Sequence, residues 1–534
     1  MKKATILLSI VMYLSCSLIA QVKSTKVDIE WGPEQKESKK STLADIIGYD
    51  ETGFYALKTQ IKNLGFSALI TLEHFNNELG KTKSVEIELK EKKYDKKLEG
   101  LYLLNNKLYL LTSLKDKKTK INKLYVETID KQTLLLNGDS KEIATIDYAN
   151  HRKFNAGTFN YKLSRDSSKV LIYYNLPYEK GASEKFGFQV YDNELNKLWE
   201  KEIELPYKEE LFEVENYRVA NDGNVYLLGV IFKDKRRVKR HGEPNYKYQV
   251  LSYTDKGNKL TEYPIEVEDH FLTDMIITIN EDKDIVCGGF YSAKGTFTVK
   301  GSYFLKIDDE TKEIKAKSFN EFGIDFITQN MTERQEKKSN KKAEKGKKPE
   351  LYKYFLDEII LKDNGGAVLI GEQFYIVSVA RTYTNPNGGI TTTYTNHYYY
   401  NDIIVVNMGA DGNIVWTEKI PKRQVSVNDG GFFSSYTITV VNDKMYFVFN
   451  DNPKNLEYTG EGKIYNFNRG RESLVVLVEL DKNGNQTREA IFSAKEAEVL
   501  IRPKVCEQIS NTELILFGQK KKAHKFARVT FKNN

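Results

Sequence analysis

The segment NYRVANDGNVYLLGV (216–230) reads as a strand, a tight Asn-Asp-Gly turn and a second, more apolar strand. The same grammar recurs as IIGYDETGFYALK (46–58), LYLLNNKLYLLTS (101–113), YKLSRDSSKVLIYY (161–174) and IITINEDKDIVCGGF (276–290). It continues as IILKDNGGAVLIGE (359–372), ITVVNDKMYFVFN (438–450) and VCEQISNTELILFGQ (505–519). Aligned on the first apolar residue after the turn, the copies are anchored at Phe54, Leu108, Val170, Val225, Ile285, Ala367, Met445 and Leu514, in steps of 54, 62, 55, 60, 82, 78 and 69 residues. Such repetition constrains a fold more than composition does, because each unit can bury its apolar face only against the next copy.

A second strand pair follows each anchor, as in YQVLSYTDKGNKLTEYPIEV (248–267) and LVVLVELDKNGNQTREAIF (474–492). Each unit is therefore four antiparallel strands, A to D, and the expected fold is all-β: a single β-propeller of eight four-stranded blades spanning residues 21–534. After Leu514 only 20 residues remain, too few for a full last blade. The alternating segment TKVDIEW (25–31) is expected to supply the missing outer strand and close the ring.

LSRDSSKVLIYY (163–174) resembles the WD40-like repeat of periplasmic propellers. DNELNKLWEKEIELP (192–206) and GADGNIVWTEKIP (409–421) are similar to the outer strands of quinoprotein-type blades. In those blades the Trp packs between neighbours, and the resemblance implies the same here. It supports the fold and transfers no activity.

The first residues, MKKATILLSIVMYLSCSLIAQ, pair Lys2 and Lys3 with a short apolar run and a small residue at Ala20, the pattern of a secretory signal peptide over 1–20. Export to the periplasm or the cell exterior is expected, with lipid anchoring at Cys16 as the alternative. No later segment has the length of a membrane helix. Loss of Lys2 and Lys3 lowers the formal charge from +7 to +5, which does not demand a polyanionic partner, and nucleic acid is not expected. Beyond Cys16 only Cys287 and Cys506 remain, so this is no disulfide scaffold.

The long connections are the B–C and D–A ones, with insertions at 329–350, 376–400 and 450–473, and these share one face of a propeller. The stretch RTYTNPNGGITTTYTNHYYYND (381–402) reads as one long hairpin projecting from that face. Tyr383, Tyr394, His397 and Tyr398 on the hairpin, with Arg236, Arg237 and Arg240 on the B–C connection of blade 4, are the candidate binding residues. The lysine run at 337–348 reads as a solvated, unstructured loop.

No HExxH, GxSxG elbow or calcium-loop pattern occurs, and the six histidines show no metal-ligand spacing. Neither cofactor nor metal is called for. Asp45, Asp274, Asp357 and Glu358 fall near the starts of A strands, close to the expected channel mouth, with Arg502 in a similar place in blade 8. Two functional readings follow. The first is a non-enzymatic scaffold that binds an envelope protein or glycan, an anionic one included, through the insertion face. The alternative is a carbohydrate-active hydrolase or lyase using the channel-mouth carboxylates as general acid and base.

Overall fold

The computed structural model describes residues 24–532 apart from 37–40, 63–66, 92–93, 139, 149–156, 178–180, 266–269, 296–297, 332, 345–348, 385–388, 461 and 471. The signal-peptide segment and Cys16 lie outside the described residues.

The sequence pattern dictates which strands are buried. The second strand of each unit is a continuous apolar run: Val225–Phe232 (VYLLGVIF) and Asp284–Ser292 (DIVCGGFYS) are buried along nearly their whole length. A strand with neighbouring sheets on both faces must be apolar on both. The fourth strands alternate, as in Lys259–Ile265 (KLTEYPI), because only one face is covered. The turns between first and second strands carry residues that accept positive φ. Asn105 and Asn106 (φ 44° and 59°), and Asn442 and Asp443 (φ 49° and 61°), each put two successive residues in the left-handed region, as a two-residue hairpin turn requires.

Among the described residues the strands form eight antiparallel sheets of four or more strands, most of them simple meanders in chain order. This is the all-β, propeller-like fold expected. The first sheet pairs Ser41–Asp50, Gly53–Lys62, Ser67–Phe75 and Lys81–Glu88 in sequence. In the eighth sheet Val27–Trp31 lies antiparallel to Ala523–Phe531, with Val27 opposite Phe531 and Trp31 opposite Ala527.

Eight apolar clusters hold the sheets together, each formed between successive sheets. One of them joins Phe54 and Phe75 of the first sheet to Phe517 and Phe526 of the eighth, with ring centroids 4.9 and 4.7 Å from Phe526. A polar contact spans the same junction. Lys58 of the first sheet lies 2.7 Å from Glu73 and 3.5 Å from the fully buried His524 of the eighth. Burial, followed by the Lys58 charge, lowers the His524 imidazole to about 3. In the unfolded chain the same group takes up a proton near 6.5. The folded state therefore binds fewer protons between those values, and stability is lost as pH falls from about 6.5 toward 3. His524→Phe is expected to flatten that loss relative to wild type in melting curves taken between pH 7 and 4.

The two tryptophans at the blade-like repeats bridge sheets. The Trp199 indole donates to the Gly223 carbonyl (3.1 Å) and Trp416 to the Lys482 carbonyl (3.0 Å), each in the following sheet. Gly484, at φ 85°, sits so close to Trp416 that a Cβ there would lie 2.9 Å from the indole.

One segment departs from expectation. The lysine-rich stretch contains a helix, Glu333–Glu344, rather than an unstructured loop. Its Glu, Lys and Arg content favours helix, and Glu333 and Lys337 stand four apart. Lys419 of the sixth sheet fastens the start of this insertion by donating to the carbonyls of Phe326, Ile327 and Gln329. Among the described residues no helix is long and apolar enough to cross a membrane.

Candidate functional site

The first strands of several neighbouring sheets lie against each other: Ser41–Asp50 against Lys97–Leu104, Asn160–Leu163 against Phe212–Val219, and Phe271–Ile279 against both Phe212–Val219 and Tyr354–Leu361, so these inner strands form one side of the arrangement. Five share a local irregularity near their starts. Pairing with the second strand slips by one residue, leaving Ala44, Glu99, Glu215, Thr273 and Asp357 as extra residues between paired neighbours. A β-bulge of this kind re-aims the side chains around it. The sequence carries the matching signal. In a period-2 strand the apolar residues suddenly stand three apart, in LADI (43–46), LEGL (98–101), VENY (214–217), LTDM (272–275) and LDEI (356–359). At least one of the two residues in each gap is acidic, and in LDEI both are.

Room for the bulges comes from glycine on the second strand. A Cβ on Gly289 would lie 2.3 Å from the Asp274 carbonyl oxygen, and one on Gly371 2.7 Å from the Phe355 carbonyl oxygen. Neither main chain could approach so closely past a larger residue.

The bulges assemble an acidic arc across the fourth, fifth and sixth sheets. Asp274 accepts from the backbone N–H of Leu356 at 2.7 Å, which fixes it beside Asp357. Asp357 accepts from the Tyr436 hydroxyl (2.9 Å), and Glu215 from the Tyr248 hydroxyl (3.0 Å). Crowding by the surrounding strands pushes the Asp357 carboxyl up to about 7; the neighbouring charge of Glu372 adds to this and the Tyr436 hydroxyl opposes it. Glu215 is raised to about 7, again by burial first, with Asp274 adding to the rise and Tyr248 opposing it. Asp274 and Glu358 are also raised by burial. Both Glu215 and Asp357 keep contact with solvent. A second acidic pair stands at the junction of the eighth and first sheets, where burial and the charge of Asp45 raise Glu507 to about 7. Asp45 itself is raised by burial.

Carboxyl groups near 7 are partly protonated at neutral pH while their neighbours carry charge. That is the condition for one group to give a proton as another takes one. Among the described residues no three His, Cys, Asp or Glu side chains converge closely enough to hold a metal ion.

The candidate residues from the sequence divide accordingly. Asp274, Asp357 and Glu358 come together, and Asp45 belongs to the second pair. Arg502 stands at the junction of the eighth and first sheets, where its guanidinium donates to the Leu43 carbonyl (3.0 Å) and lies 3.8 Å from the Phe432 ring centroid. Arg236 is spent on the carbonyls of Glu209, Glu210 and Phe212, while Arg237 and Arg240 share Asp234. The long hairpin exists, Ala367–Thr384 pairing with Ile390–Met408, though its tip at 385–388 lies outside the described residues. Its pleat divides the tyrosines. Tyr383 pairs with Thr391 and so shares a face with His397, whereas Tyr394 pairs with Ala380 and points the other way with Tyr398. Tyr383 (50% exposed) and Tyr394 (68%) therefore form no common platform. Glu215, Glu99, Glu507 and Tyr436 were not singled out from the sequence, although the three-residue apolar gap marks the first two.

No protein-family model matches the chain, and no curated protein matches it in sequence. Solved structures are similar at low identity. Dipeptidyl peptidase 4 of Porphyromonas gingivalis is 9% identical with a TM-score of 0.40, over 90% of this chain and 56% of that one. This chain thus spans little more than half of that peptidase. The WD40 domain of SCAP from fission yeast is 8% identical, TM-score 0.36, over 95% and 94% of the two chains. An alpha-L-arabinanase of Penicillium chrysogenum, complexed with arabinobiose, is 11% identical, TM-score 0.31, over 68% and 98%. The likeness is one of fold and assigns none of these activities. The expectation of a non-enzymatic scaffold is not borne out: most of these structures are of enzymes, and none gives direct evidence for such a scaffold. The divided tyrosines and committed arginines give that correction its physical side.

Proposed function

We propose that this protein is a carbohydrate-active enzyme, a hydrolase or lyase, working through the carboxylates that the inner-strand bulges gather. Asp357 is the proton donor, and Asp274, which the Leu356 backbone N–H holds beside it, is the second carboxyl of the pair. The observation that carries this reading is the acidic arc itself, with Glu215 on the fourth sheet and Asp357 on the sixth both raised to about 7, on either side of Asp274 on the fifth. A solvated carboxylate that only braced a turn would be held below its usual range, as Asp308 is by Lys315 and its turn N–H groups. We read the scaffold as an exported eight-bladed propeller closed by Val27–Trp31, which would keep the inner strands rigid around the site.

The test is a panel of polysaccharides incubated with the purified protein, scored for new reducing ends and for unsaturated products by ultraviolet absorbance. Cleavage of at least one polymer is expected, falling off as pH rises through about 7 and Asp357 loses its proton. Absence of cleavage across the panel at every pH contradicts the reading.

A further inference from the structure

Beside the acidic arc lies a cavity of about 390 Å³, toward the low end of the roughly 300–1,000 Å³ typical of small-ligand pockets. It opens between the starts of three inner strands, which contribute Glu215, Thr273 and Phe355. The rest of its wall is aromatic and aliphatic, with Phe232, Tyr246, Tyr248 and Phe271 among the aromatic residues, apart from Gly295 and the charged Lys353. The polar ends of the two tyrosines are already engaged. Tyr246 donates to the Leu272 carbonyl at 2.8 Å and Tyr248 to Glu215 at 3.0 Å. The rings therefore present apolar surface to the space, and the Glu215 carboxyl is the polar group that joins the cavity to the arc. Two apolar side chains stand at its mouth unusually bare, Val238 at 50% exposure and Phe355 at 40%. With the Lys353 ammonium over the Tyr352 and Tyr375 rings, a heavily hydroxylated ligand would find few partners beyond Glu215 and Thr273. A flat apolar ring would cover the bare side chains and lose little.

We infer that this cavity is the subsite for an uncharged aryl or alkyl group of the substrate, seated with its linking oxygen at Glu215. The inference rests on the enzyme reading for its place beside the reaction, and on the cavity alone for its ligand chemistry. The probe is 2-naphthol, titrated into the full chain and followed by its fluorescence. Saturable one-to-one binding is expected, weakened about tenfold or more by Val238→Trp, which fills the mouth, and by Phe355→Ala, which removes one wall. Both positions are exposed enough for the variants to fold. Asp357→Asn is expected to bind naphthol within about twofold of wild type, since it does not line the cavity. Binding that does not saturate, or that both cavity variants leave unchanged, overturns the subsite whatever Asp357→Asn does to cleavage. Naphthol binding as expected, with cleavage untouched in Asp357→Asn, supports the cavity as an apolar-ligand site and overturns the catalytic reading of Asp357.

Discussion

Asp357→Asn is expected to lower polysaccharide cleavage by about 100-fold or more, the usual scale for losing a positioned general acid. The fold should survive. Asparagine keeps an oxygen that can accept from the Tyr436 hydroxyl, now 2.9 Å from Asp357 Oδ2. Stability should even rise at alkaline pH. The carboxyl ionises near 3.8 when unfolded and near 7 when folded, so the native state holds the extra proton between these values. Its contribution to stability is lost as pH rises through about 7, and the variant escapes that loss. Melting curves at pH 8.5 should place Asp357→Asn at or above wild type while its cleavage is gone. A carboxylate with a purely architectural role would give the opposite pair of results, with activity kept and stability reduced.

Deleting residues 24–31 is expected to cost most of the native state. Val27 is 3% exposed and enters the apolar cluster between the seventh and eighth sheets, with Ile29 and Trp31 packed against it. Trp31 meets the Phe492 ring edge-on at 5.0 Å. Ser24 and Thr25 bond to Glu489, and Lys26 lies 2.8 Å from Glu479. Burying side chains of this size contributes about 1.5–3 kcal/mol each, so the segment supplies on the order of 5 kcal/mol. Whole-domain stability is itself only about 5–15 kcal/mol. The deletion also bares the edge of Ala523–Phe531 to pairing with other chains. Size-exclusion chromatography should find aggregate or strongly destabilised monomer, whereas deletion of residues 1–23 alone should leave a cooperative melt. A fully stable monomer without residues 24–31 would mean that the eighth sheet does not depend on that strand.

The parts of this molecule written in hydrophobic period and turn chemistry were legible in the sequence. Asn105-Asn106 and Asn442-Asp443 announced their hairpins, and the apolar run 225–232 announced a strand covered on both faces. The long hairpin was legible too, but its function depended on pleat phase. Only the pairing of Tyr383 with Thr391 and of Tyr394 with Ala380 reveals that the two tyrosines face apart. The lysine-rich insertion misled because high charge suits both a solvated coil and a surface helix, and here the helical propensity of 333–344 prevails. Asp45, Asp274, Asp357 and Glu358 were found by position near strand starts, while Glu215 was passed over. Its mark, a three-residue apolar gap between Val214 and Tyr217, becomes meaningful only when the same gap is seen in four other inner strands. Arg502 could be placed from the sequence only near a strand start, because its partners, the Leu43 carbonyl and Phe432, are far away in the chain.

The most direct test of the acidic arc is a carbon-13 NMR titration of the protein labelled at its Asp and Glu carboxyl carbons. Two resonances, assigned to Asp357 and Glu215 by Asp357→Asn and Glu215→Gln, should titrate near 7. The Asp357 resonance should vanish in its own variant. If every carboxyl in the arc instead titrates below about 5, within the ordinary range for Asp and Glu, the inner-strand bulges gather no proton-sharing site and the enzymatic account fails.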